Sequence, residues 1–171
     1  DEALVSAQTE LLVAEDGIDV ADLSPAGAID YARLVAARAR IARERGRLEV
    51  AEVLGREAYA IAVGSEVLEA RASIELELAR IAAAQGKLPT AIWLGKRAVR
   101  SLDRIRQGLA SSSLATLALD DEAFVSERIG AWRELADHLV SAGRFLEATA
   151  ALAAVKDEEA DAYATRDKTK K

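Results

Sequence analysis

The stretch Ile81-Ala-Ala-Ala-Gln-Gly86-Lys-Leu88-x-x-Ala91 sets the architecture, because the chain writes it two more times. Upstream stands Ile41-Ala-Arg-Glu-Arg-Gly46-Arg-Leu48-x-x-Ala51, and downstream His138-Leu-Val-Ser-Ala-Gly143-Arg-Phe145-x-x-Ala148. Each copy runs from an apolar helical segment to a glycine, a cation, a bulky apolar residue and, three positions on, an alanine. A glycine at such a point stops a helix by taking the left-handed conformation that side chains resist. Two helices around a tight turn, written three times, predict antiparallel helical hairpins packed in series. Gly46 and Gly86 are 40 residues apart and Gly86 and Gly143 are 57 apart, so the second interval carries an insertion, placed at about 108–120.

Working outward, Leu4, Ala7, Leu11 and Leu12 share a helical face and predict a helix over about 2–15, ended by Asp16-Gly17. Ser24-Pro25 reads as an N-cap followed by proline at the first helical position. A long helix then runs to Arg45, followed by helices over about 48–62, 66–85 and 88–108, with Pro89 tolerated in a first turn. Gly108-Leu-Ala-Ser-Ser-Ser113 reads as a loop. A further long helix reaches Ala142, and a shorter one spans about 145–158 before a charged end. The expectation is an all-α fold of about seven helices in one domain, residues 1–171, with repeat units at about 32–65, 72–105 and 129–162.

Composition narrows the function. The chain is 51% hydrophobic but only 4% aromatic, and alanine and leucine supply most of the apolar residues. Alanine-rich helices approach closely and leave little room for a small-molecule cavity. The formal charge of −6 opposes nucleic acid as the main partner, since phosphate binding needs concentrated cation. The absence of cysteine removes disulfides, thiolate metal sites and cysteine nucleophiles, and is compatible with a reducing cytoplasm. No apolar run has the length of a membrane span, and no signal peptide is visible. The chain opens at Asp1 without an initiator methionine and closes on Lys168-Thr-Lys-Lys171, so it is expected to be a piece of a longer protein.

Counted from each turn glycine, the pattern resembles the tetratricopeptide repeat. That family places a bulky residue eleven before the turn, leucine eight before, a small residue seven before, and alanines five and twelve after. The third unit supplies Trp132, Leu135, Ala136, Ala148 and Val155; the second supplies Leu78, Ala79, Ala91 and Ala98, with Glu75 at the tryptophan position. The first has Val35, Ala39, Ala51 and Ala58, but Arg38 stands where leucine belongs. Short side chains at these points let the paired helices approach, and Leu54-Gly55 and Leu94-Gly95 repeat the device within second helices. Ala91–Val99, Leu102–Arg106, Trp132–Leu139, Gly143–Ala148 and Val155–Glu159 together resemble the repeat segment that precedes the caspase-like domain of bacterial CHAT proteins. Tyr163 alone survives of the aromatic cluster usual there. The resemblance implies an α-solenoid that docks or senses a protein and controls a C-terminal domain of the same protein. The family's His–Cys catalytic pair would belong to that domain, since this chain has one histidine and no cysteine.

No residue pattern reads as a catalytic constellation, a phosphate-binding loop or a cofactor site, so a non-catalytic role is expected. Glu134 and Asp137 lie within a turn of His138, but histidines in such helices are mostly packing residues. Trp132 reads as a packing anchor. In tetratricopeptide arrays, ligands lie against first-helix positions thirteen, ten, six and three before the turn. Here those positions hold Arg33, Arg40 and Arg43 in unit one, Arg80 in unit two, and Arg133 with Asp137 in unit three. Five arginines suit an acidic peptide or a C-terminal carboxylate, unless neighbours such as Glu44 and Glu77 neutralise them. The competing surface is the ridge of Trp93, Lys96, Arg97, Arg100 and Arg104 on a second helix, where an exposed tryptophan would suggest a contact patch. The alternative to partner docking is a structural oligomerisation segment.

Overall fold

The computed structural model describes residues 20–64, 67–110 and 122–169. Among them a short 3-10 turn, Val20–Asp22, precedes six α-helices, and no strand is present. The helices are α1 (Pro25–Glu44), α2 (Leu48–Val63), α3 (Leu68–Ala84), α4 (Leu88–Ala110), α5 (Glu122–Ser141) and α6 (Phe145–Thr169). The helix expected at 2–15 and most of the expected insertion lie outside the described residues. Gly108, Leu109 and Ala110, expected in a loop, continue α4. The last helix is longer than its expected end near 158, since neither glycine nor proline follows Gly143.

Local chemistry accounts for the boundaries. Ser24 caps α1: its hydroxyl oxygen accepts the Gly27 N–H at 3.1 Å, and Pro25 fills the first helical position. The three hairpin turns are near-copies. Gly46, Gly86 and Gly143 have φ of 74°, 74° and 71°, and each donates its N–H to the carbonyl three residues back at 2.9 Å. The cation that follows reaches one residue further: Arg47, Lys87 and Arg144 donate their N–H groups to Ala42, Ala82 and Leu139. This is the paired bonding that closes a helix on a left-handed glycine. The same three cations then accept the N–H of Ala51, Ala91 and Ala148. One residue thus ends one helix and begins the next, which is why the turn is so short.

Each turn folds a hairpin, α1 on α2, α3 on α4 and α5 on α6, and these are the most extensive contacts in the molecule. The small residues expected between paired helices are buried: Ala39, Ala79 and Ala136 in the first helices, Ala51, Ala91 and Ala148 in the second. Successive hairpins touch as well, α3 against α2 and α1, and α5 against α4. A second register governs that contact. Gly55 lies under Leu78, whose Cδ2 would sit 2.7 Å from an added Cβ, and Gly95 lies under Leu135 at 3.3 Å. The leucine eight before a turn therefore rests on the glycine nine after the preceding turn. Arg38 occupies the leucine position in hairpin one, which no described hairpin precedes.

Candidate interaction surfaces

The first-helix arginines fall into two groups. Arg40, Arg43 and Arg80 join one alternating ladder of charge. Glu44 lies 3.6 Å from Arg40 and 3.8 Å from Arg43. Arg43 donates to Glu77 at 2.7 Å, and Glu77 lies 3.4 Å from Arg80. Arg80 donates two bonds to Glu134, at 2.6 and 2.8 Å. The ladder crosses from α1 to α3 to α5 with three positive and three negative groups. Glu134 holds Arg80 more firmly protonated than usual, chiefly through those hydrogen bonds.

The other two arginines stand apart. Arg33 pairs within α1 with Asp30 at 3.3 Å. Arg133 turns to Glu159 of α6 at 2.5 Å. Its register explains this, because the position ten before the turn is an inter-hairpin contact. In hairpin two that position is Leu76, buried against hairpin three. Arg133 holds the same place on the outward face of hairpin three. The five expected residues therefore do not share one ion-pair network, and every one of them already has a carboxylate. Glu44 and Glu77 neutralise the arginines as the sequence allowed, and Glu134, nine before its turn glycine as Glu77 is, is the member that arginine counting misses.

A cleft of about 390 Å³ opens between α3 and α5, lined by Ser73, Leu76, Arg80, Glu127, Gly130 and Glu134 among others. Burial raises the Glu127 carboxyl above the usual range; Arg80 opposes this and Glu69 adds to it. His138 is partly buried, and its Nε2 lacks a hydrogen-bond partner. Glu134, which lies within a turn of it, is committed to Arg80. Among the described residues no three His, Asp or Glu side chains converge to hold a metal ion.

The ridge on α4 is organised differently. Trp93 is 55% exposed, and the Arg97 guanidinium lies 4.6 Å from its ring centre. Arg97 also bonds the Tyr59 hydroxyl on α2 and donates to Glu75 on α3 at 3.0 Å. Glu75, standing where a tryptophan was expected, is fully buried. Burial pushes its carboxyl above the usual range, with Arg97 and Arg71 pulling the other way. A core carboxylate thus anchors the arginine on which the exposed indole rests. Lys96 is tied to Glu147 of α6 at 2.5 Å and holds that carboxyl low. Arg100 and Arg104 are exposed and have no partner among the described residues.

Exposed large apolar residues follow the same division. Among the described residues Val50, Val53 and Val63 lie on α2, Trp93 on α4, and Phe145, Leu146 and Leu152 on α6, while Val140 alone lies on a first helix. Among the described residues the second helices therefore carry most of the exposed large apolar side chains, and α4 carries two exposed arginines without an ion pair. No family model matches the chain, and neither does any curated protein or solved structure compared with it.

Proposed function

We propose that this chain is a non-catalytic docking scaffold: a tetratricopeptide-like α-solenoid that holds a protein partner and regulates an attached domain. On this reading it is the repeat segment of a larger cytoplasmic, bacterial CHAT-type protein, and the helix at 2–15 completes seven. The registered turns and the two sets of small-residue contacts support a solenoid, because the same rules join every hairpin to its neighbour. The observation that carries docking is the concentration of exposed apolar side chains on the second helices. Apart from Leu152, which holds the register of Gly55 and Gly95, the described stacking contacts do not use them, and exposed large apolar side chains are candidates for contact.

Two surfaces compete. In the first-helix groove an acidic ligand would have to displace Glu77 or Glu134 from Arg80, exchanging one ion pair for another. On the second-helix side a partner meets apolar surface and free guanidinium groups. The geometry therefore favours the second-helix face over the groove of Arg33, Arg40, Arg43, Arg80 and Arg133. The test is site-specific photocrosslinking in the native cell, with a photoreactive residue at Trp93 or at Arg40. Adducts to a discrete protein from position 93 and none from position 40 support docking on this face. Adducts from position 40 alone return the groove to first place. A cross-linked product made only of this chain's own copies favours the oligomerisation reading.

A further inference from the structure

Trp93, Arg97, Arg100 and Arg104 follow one another at intervals of four, three and four residues, so they form one stripe along the outside of α4. At 1.5 Å per residue, Arg100 lies about 10 Å along the axis from Trp93, and Arg104 about 6 Å beyond that. The stripe has three chemically distinct parts. At one end stands an exposed indole. In the middle Arg97 is spent: Glu75, Tyr59 and the Trp93 ring all hold it. At the far end Arg100 and Arg104, one helical turn apart, have no counter-charge among the described residues.

Resting on a fixed guanidinium, Trp93 is ordered before any partner arrives, which lowers the entropic cost of using it as an anchor. Two free cations one turn apart match two carboxylates one turn apart. Resting on the docking reading above, we infer that this stripe receives an acidic amphipathic helix. An apolar side chain of that helix packs on Trp93, and two of its carboxylates, a turn apart, pair with Arg100 and Arg104. Charge complementarity selects this occupant. The cations lie on a chain of formal charge −6, so they are a local exception to its own field.

The probe is a short synthetic helical peptide with one leucine and two glutamates a turn apart, set against its counterpart carrying lysines for the glutamates. The readout is Trp93 fluorescence in the whole chain carrying Trp132→Phe, which leaves Trp93 as the one tryptophan of the two. The acidic peptide should change Trp93 emission saturably, with affinity falling as salt rises, and the lysine peptide should not. Arg100→Glu/Arg104→Glu should weaken the acidic peptide about tenfold or more and reverse the preference, since exposed pairs contribute modestly but reversal turns attraction into repulsion. An unchanged thermal melt shows that this variant is folded. Equal binding of both peptides, or no reversal in the charge-swapped variant, overturns the inference. So does tighter binding of a single-stranded DNA oligonucleotide than of the acidic peptide, which would make the stripe a phosphate surface. A dimer abolished by the charge swap would make the occupant a second copy and overturn it equally. Photocrosslinks from position 93 that persist in the charge-swapped protein would sink the acidic partner and leave docking standing; their absence in the wild type sinks docking itself.

Discussion

Burial pushes the His138 imidazole below its ordinary 6.5, with Arg80 of α3 acting in the same direction and Glu134 and Asp137 of its own helix opposing. The unfolded chain then takes up the proton more readily than the folded one. His138 therefore contributes stability above pH 6.5 that is lost as pH falls through its folded value. His138→Gln removes the titration and keeps a polar side chain. Thermal melts between pH 7.5 and 5 should show a steeper loss in the wild type than in this variant, and parallel curves would show that the residue is inert. The same side chain shows how far one residue can be read from sequence. Its helical position and its two acidic neighbours were visible there, and so was packing as its ordinary role. That Glu134 is drawn away to Arg80 depends on how α5 lies against α3, and no local pattern encodes that.

Glycines inside helices separate two effects at the level of the element. Gly55 in α2 has Leu78 Cδ2 2.7 Å from the place of a Cβ, whereas Gly130 in α5 has nothing within 4 Å. Alanine in an open helical site should stabilise by about 0.5–1 kcal/mol, the intrinsic difference between the two residues. At Gly55 that gain is opposed by an overpacking cost of about 1–3 kcal/mol, because Leu78 is itself buried and must shift. Denaturant melts should therefore rank Gly130→Ala above wild type and Gly55→Ala below it. If Gly55→Ala were the more stable of the two, the stacking register would be wrong. The hairpins were legible because Gly46, Gly86 and Gly143 and the small residues around them are local and repeated. The glycines at 55 and 95 were visible too, as close-approach points, but which hairpin approaches them was not. Residues 145–169 carry no such punctuation, so the sequence reading stopped the helix too soon. The division of the first-helix arginines between separate ion pairs has a related reason. First-helix positions that face a ligand in one unit face the next hairpin in another, as Leu76 and Arg133 show.

Among the described residues several ion pairs join hairpins, and two of these systems should differ in weight. The ladder through Arg40, Arg43 and Arg80 is partly solvated, so salt screens it and each exposed link contributes little. The other system centres on Arg128 of α5, whose side chain is only 5% exposed. Arg128 bonds Glu158 of α6 at 2.5 Å and Asp103 of α4 at 3.0 Å, its guanidinium lies 5.9 Å from the Phe124 ring centre, and Arg106 of α4 also holds Glu158, at 2.8 Å. Hairpins two and three thus share a buried carboxylate. Removing one member of a buried pair strands the other, which typically costs about 3–5 kcal/mol. Arg106 remains on Glu158, so Arg128→Leu should fall near the lower end, about 3 kcal/mol in urea denaturation. Arg128→Leu/Glu158→Leu removes the stranded charge together with its partner and should recover much of that loss. Added salt should leave the Arg128 effect nearly unchanged while reducing the small cost of Arg40→Gln, since screening acts mainly on solvated pairs. A single Arg128→Leu variant as stable as wild type would show that the pair is neutral to folding. A double variant no better than the single would locate the loss in the packing of the arginine stem against Phe124 and not in the stranded Glu158 charge.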